Sequence, residues 1–265
     1  MKRTLVNPII EVNHIVDWIK NYFEKNGNAD TKAIIGISGG KDSTIAAALL
    51  VRALGAERVI GVLMPNGNQA DIDDSRRVCN ILGIKNITVD ISRTCISIYE
   101  TINYQACIDN KTVKTNTPAR VRMTVLYTIA ALYGGRVCNT GNASELWIGY
   151  TTKYGDLAGD FSLFRDYTVR EVLAIGDALT ELPKELVHKA PADGMSGLTD
   201  EDNMGITYDQ IDTLLLDECA PEDEETYKKM LAKHRANEHK QCINLPCPKS
   251  TLSMSFNNDE DWGNI

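Results

Sequence analysis

Ala33-Ile34-Ile35-Gly36-Ile37-Ser38-Gly39-Gly40-Lys41-Asp42-Ser43 is the stretch whose reading decides the fold. An apolar run of this length, ending in two glycines, reads as a buried strand. Residues 43–54, rich in Ala and Leu, read as a helix, with Gly55 as its stop. A strand that turns through glycine straight into a helix is half of a βαβ unit, the building block of parallel sheets.

The same alternation extends outward in both directions. Upstream, residues 9–24 place Ile9, Ile15, Val16, Ile19, Tyr22 and Phe23 near helical spacing, with Gly27 behind them. Downstream, residues 58–64 predict a second strand, 71–82 a helix closed by Gly83, and 86–91 a third strand. After a less regular stretch, Thr117 reads as an N-cap and Pro118 as the first helical residue of a helix reaching Tyr133. Residues 136–139 predict a fourth strand that runs into Thr140-Gly141-Asn142. The expected class is α/β: a doubly wound parallel sheet with helices on both faces. A mostly helical C-terminal part follows, with helices at 168–179, 208–216 and 222–238. Ligands of such sheets bind at the carboxyl ends of the strands, so residues 38–43, 65–71 and 139–145 should share one rim.

Size and composition narrow the classes. A chain of 265 residues fits one domain, expected over 1–265, with a nucleotide-binding core at 33–145. The formal net charge of −8 argues against a nucleic-acid groove or an anionic membrane surface as partner. The N-terminal residues lack a continuous apolar stretch and nothing approaches a membrane span, so the cytosol is the expected compartment. The seven cysteines are odd in number and never spaced C-x-x-C, which disfavours both a disulfide framework and a zinc site. Cys242 and Cys247, the closest pair, read as two unrelated thiols. Residues 190–205 carry four acidic residues, three glycines and a proline; this is either a linker or a lid over a site.

Gly36 to Ser43 has the chemistry of an anion cradle. Glycines let backbone N–H groups close on a phosphate, and the helix that follows presents its positive dipole end. Ser38 and Ser43 can donate hydroxyls, Lys41 adds charge, and Asp42 can hold a magnesium ion. The pattern is neither G-x-x-x-x-G-K-[ST] nor G-x-G-x-x-G. A glycine-rich turn with a good cap is the bland alternative. Glu145, likewise, would suit a helix N-terminus without any metal.

The S-G-G-x-D-S pattern resembles the pyrophosphate loop of the ATP pyrophosphatase superfamily, which includes NAD, GMP and argininosuccinate synthetases and tRNA-modifying enzymes. Later segments are similar to one branch. Asn139-Thr140-Gly141-Asn142-Ala143-Ser144-Glu145, Thr152-Lys153-Tyr154-Gly155-Asp156 and Asp160 look like the NAD synthetase signature T-G-N-x-x-E…T-K-[FY]-G-D…D. Asn116-Thr117-Pro118-Ala119-Arg120-Val121-Arg122-Met123 resembles its N-x-x-A-R-x-R-M segment, and Glu238-His239-Lys240 its terminal E-H-K.

The resemblance implies an adenine nucleotide α-hydrolase-like fold, with ATP bound by Gly36, Ile37, Ser38, Gly39, Gly40, Lys41, Asp42, Ser43 and Thr140. It implies magnesium on Asp42 and Glu145, and deamido-NAD on Arg120, Lys153, Asp160, His239 and Lys240. It further implies a homodimer with the helix ending at Tyr133 at its interface, and ammonia as nitrogen source, with no residues left for a glutaminase domain. The expected reaction transfers AMP to the nicotinate carboxylate, and ammonia attacks the adenylate. Asp156 is the candidate to receive or deprotonate ammonium, and Lys153 stands beside it among the catalytic candidates. Four positions depart from the common family pattern: Lys41, Leu63, Val169 and Ala192 stand where Gln, Arg, Lys and Ser or Thr are frequent. Two other readings compete: another pyrophosphatase-loop ligase (GMP synthetase-like or tRNA-modifying), and a module that binds ATP without turnover.

Overall fold

Five strands run parallel in the order β3-β2-β1-β4-β5. They are β1 (Lys32–Gly36), β2 (Val59–Leu63), β3 (Lys85–Thr88), β4 (Gly135–Asn139) and β5 (Phe161–Ser162). The computed structural model describes residues 7–68, 72–189, 199–217, 223–241 and 247–248. The chain starts in the middle of the sheet and winds outward first to one side, then to the other. The carboxyl ends of β1 and β4 therefore flank the switch point, where the strand order reverses.

The central strands are apolar because both of their faces are covered. On one face α1 (Pro8–Asn26), α2 (Lys41–Leu54), α3 (Ile72–Leu82), α8 (Val169–Asp177) and α9 (Lys184–Val187) bury Ile15, Ile35, Leu49, Val78 and Ile175 in one cluster. On the other, α4 (Ser92–Ile102), α5 (Tyr104–Asp109) and α6 (Lys111–Tyr133) enclose Ile34, Val62, Tyr99, Leu126 and Val137. A third cluster joins α7 (Ala143–Ile148) to α10 (Asp200–Met204), α11 (Tyr208–Asp217) and α12 (Glu224–Gln241) through Trp147, Met204, Ile211 and Met230. Each fully buried Ile, Leu or Val side chain contributes roughly 1.5–3 kcal/mol. Strand β3, at the edge, carries Lys85, Asn86 and Thr88 exposed, which blunts it against further pairing.

Three local readings change. The less regular stretch before Thr117 is α4 and α5. The helix expected to open at Thr117 begins at Lys111, where the Asn110 side chain caps the Val113 N–H. Pro118 thus sits inside α6, where its missing N–H removes one intrahelical bond. The fifth strand, only two residues long, is too short to leave a periodic signature. In the expected lid, residues 190–198 lie outside the described residues; 200–204 form α10, capped by Thr199, whose hydroxyl accepts from the Asp202 N–H. Among the described residues no helix is long and apolar enough to cross a membrane.

Candidate active site

The glycine turn sits at the carboxyl end of β1, where the Ile37 N–H still bonds to the Val62 carbonyl at 2.9 Å. Gly39 has φ +81°, a conformation that a side chain would strain, and it turns the chain into α2. Hydroxyls lock the turn: Ser43 Oγ lies 3.1 Å from Ser38 Oγ and donates to the Gly40 carbonyl at 3.2 Å. Thr44 Oγ1 donates to the same carbonyl at 2.8 Å. Helix α2 begins here, and the first N–H groups of a helix have no intrahelical partner, which is what an anion site requires.

Asp42 and Glu145 meet across the switch point through Asn142. The Asn142 amide donates to Asp42 Oδ1 at 3.1 Å, and its main-chain N–H donates to Glu145 Oε2 at 3.1 Å. Its Oδ1 accepts from the Glu145 N–H at 3.0 Å, so Asn142 and Glu145 form the capping box that starts α7. The sequence carries that signal as Asn142-x-x-Glu145, and Asn142 is the site residue that the sequence reading passed over. Burial, then the Asp42 charge, pushes the Glu145 carboxyl up to about 8.

Lys41, 3% exposed, donates to Asp42 Oδ2 at 2.8 Å. Burial pulls its ammonium down, but Asp42, Glu145 and Asp200 outweigh that, and the net shift is upward. Two carboxylates joined through one asparagine suit a divalent cation. Two hard oxygen donors, completed by phosphate oxygens and water, are an ordinary magnesium set. Among the described residues no group of three or more His, Cys, Asp or Glu side chains forms a fuller metal site.

A second cluster gathers at the end of α12. Lys153 Nζ donates to the His239 carbonyl at 2.7 Å, and Arg120 Nε donates to the Lys153 carbonyl at 3.2 Å. Lys240 Nζ donates to the carbonyls of Gly149 and Thr151 at 2.9 and 2.8 Å. Asp156 joins them: its Oδ1 accepts from the Thr152 N–H at 2.8 Å. Solvent reaches Asp156 although protein crowds it, and that crowding pushes its carboxyl up against the opposing pull of Thr152 and Lys240. Burial lowers Lys240. Asn139 ties the two clusters together, donating to the Asp156 carbonyl at 2.6 Å and accepting from the Gly141 N–H at 3.0 Å. Thr140 lies between them in the same loop.

Other expected residues sit elsewhere. The Asp160 carboxyl accepts from the Val137 N–H at 2.7 Å and so closes the β4 edge. Leu63 is fully buried in β2, and Val169 gives its N–H to Ser144 Oγ at 3.0 Å. Arg170, next to Val169, pairs with Asp209 at 2.7 Å and lines a cleft of about 280 Å³ beside Lys41. Ala192 lies outside the described residues, and so does Cys242. Of the three rim loops, the first and third are joined by Asn142, whereas the Gly67 N–H of the second turns to Asp90.

Residues 11–245 match the NAD synthase family. The chain belongs to that family. Among curated relatives, the NH(3)-dependent NAD(+) synthetase of Methanococcoides burtonii is 38% identical over 214 residues, 80% of each chain. That of Thermoplasma acidophilum is 38% identical over 242 residues, covering 89% of this chain and 95% of its own. Among solved structures, the NMN synthetase from Francisella tularensis superposes with a TM-score of 0.79 at 30% identity, covering 90% of this chain and 98% of that one. Membership makes the chain an α/β ligase of NAD synthesis, in a family that uses ATP as co-substrate.

Proposed function

We propose that this chain amidates deamido-NAD with ammonia, consuming ATP and releasing NAD, AMP and pyrophosphate through an adenylated nicotinate. The observation that supports this best is the bridge from Asp42 through Asn142 to Glu145, set against the glycine turn at the switch point. A carboxylate resists amines because its charge is delocalised and oxide is a poor leaving group; adenylation replaces oxide with AMP. The turn's N–H groups, Ser38, Ser43 and Thr140 would hold the triphosphate, with Lys41 adding charge. Asp42 and Glu145 would hold magnesium, which when bound neutralises charge on the departing pyrophosphate. Arg120, Lys153, His239 and Lys240 would hold the dinucleotide, and Asp160 would brace the strand beneath it. Asp156, open to solvent and with its carboxyl raised, would take a proton from ammonium.

The active unit in this reading is one domain working as a homodimer. Helix α6 supports this: Tyr127, Leu132 and Tyr154 line an open depression of about 920 Å³ along it, and Leu132 is 75% exposed. A cytoplasmic setting fits the thiols of Cys79, Cys95, Cys107 and Cys138, which form no disulfide among the described residues.

Purified protein given magnesium, ATP and ammonium should yield AMP, pyrophosphate and NAD from deamido-NAD, read by mass spectrometry. Release of ADP, or no release of AMP, would overturn the reaction. The likeness to an NMN synthetase makes nicotinate mononucleotide the second acid to supply; faster amidation of it would reassign the substrate.

A further inference from the structure

The cleft beside the glycine turn contains a hydroxyl that the reaction above does not use. Tyr208, the first residue of α11, is 3% exposed, and its hydroxyl is buried without a hydrogen-bond partner among the described residues. Its backbone is fixed, since its N–H donates to Glu201 Oε1 at 2.8 Å. Its ring is fixed as well, with Lys41 Nζ 5.6 Å from the centroid. Tyr208, Lys41, Arg170 and Lys189 all line the cleft.

A buried donor left unbonded weakens the ligand-free protein, and such groups are rare enough that each one asks for a reason. Burial first, then Glu145, Asp200 and Asp42, raises the phenol far above its ordinary value, so it keeps its proton. It is thus a neutral donor beside three cations and the carboxylate pair expected to hold the metal. Although Glu201, Asp209 and Asp212 also line the cleft, the phenol, Lys41, Arg170 and Lys189 supply the donors that the oxygens of a condensed phosphate need.

We propose that the Tyr208 hydroxyl donates a hydrogen bond to the pyrophosphate end of the nucleotide, which makes it a catalytic residue of the adenylation step. The inference rests on the pyrophosphate reading of the glycine turn. It explains why a tyrosine and not a phenylalanine fills an apolar position against Ile211 and Trp147.

The test is Tyr208→Phe, which keeps the ring under Lys41 and removes only the hydroxyl. Calorimetry with inorganic pyrophosphate at saturating magnesium should show binding about tenfold weaker than in the parent protein. AMP binding should not change. The melting temperature without ligand should stay level or rise, since an unsatisfied group has gone, whereas a purely structural hydroxyl would lower it. Equal pyrophosphate affinity in the two proteins, or an equal loss for AMP and pyrophosphate, overturns the proposal. So would a variant that changed only the magnesium titration, because the hydroxyl would then serve the carboxylates. If the parent protein itself fails to bind pyrophosphate, the reading of the turn fails instead.

Discussion

The turn at Gly36–Ser43 and the cluster around Lys153 are two halves of one rim, built in opposite ways. In the turn, Ser38, Gly40, Ser43 and Thr44 bond to one another within a few residues at the start of α2. In the cluster, Arg120, Lys153 and Lys240 come from segments far apart in the chain, and each spends hydrogen bonds on a main-chain carbonyl. The first half is organised by bonds within the turn; the second is held by bonds between distant segments. A ligand should therefore meet the glycine turn without rearrangement and must compete with carbonyls at the cationic half.

Loss of charge in the first half should have the largest effect. Glu145→Gln keeps an oxygen for the Asn142 N–H, so α7 should stay capped, while AMP formation should fall roughly 100- to 1000-fold. A steady-state AMP assay decides it; a loss under fivefold would remove Glu145 from the metal pair.

Gly149→Ala should break the frame of the second half. Gly149 has φ +71°, and a Cβ there would lie 2.1 Å from Asn237 Cβ on α12. The cost should be about 2–3 kcal/mol, read by denaturant titration. The end of α12 that carries His239 and Lys240 should loosen before the sheet does, which hydrogen exchange would show.

Lys240→Met should raise KM for deamido-NAD about tenfold and leave KM for ATP within twofold. Equal changes in both constants would mean that the two halves are not separable. Asp156→Asn, whose amide oxygen can still accept from the Thr152 N–H, should go on releasing pyrophosphate while NAD formation drops at least tenfold. Unchanged NAD formation would rule out Asp156 as the proton acceptor.

Acidity gives a subtler test. Without metal the Glu145 carboxyl is raised from 4.5 to about 8. A folded value above the unfolded one means that its share of stability is full below pH 4.5 and is lost as pH climbs towards 8. Magnesium with a bound nucleotide should therefore raise the melting temperature more at pH 8 than at pH 5. Smallest of all, Arg52→Met removes a bidentate pair with Glu181, 2.6 Å at each contact, away from both halves. It should cost only about 0.5 kcal/mol and leave both KM values unchanged.

The same contrast explains what could be read in advance. The strand, the turn and α2 were legible because apolar run, glycines and helix formers are neighbours in the chain. The helix before Thr117 was not, because Pro118 carries a strong local start signal that the packing of α6 on β1 and β4 overrides. Asn142 was readable from its spacing to Glu145, but that it also reaches Asp42, a hundred residues away, was not.

What the sequence determines by itself is therefore the short-range chemistry: alternating strands and helices, a glycine-rich turn, and candidate carboxylates and cations in family order. Those follow from propensity and spacing, which act over a few residues. Only the tertiary structure decides that Asp42 and Glu145 share one asparagine and that Asp160 seals a strand edge. It alone buries the Tyr208 hydroxyl beside Lys41 without a partner among the described residues. Burial and long-range approach set those outcomes, since a carboxylate or hydroxyl takes its energy from whatever the fold brings within about 3 Å of it.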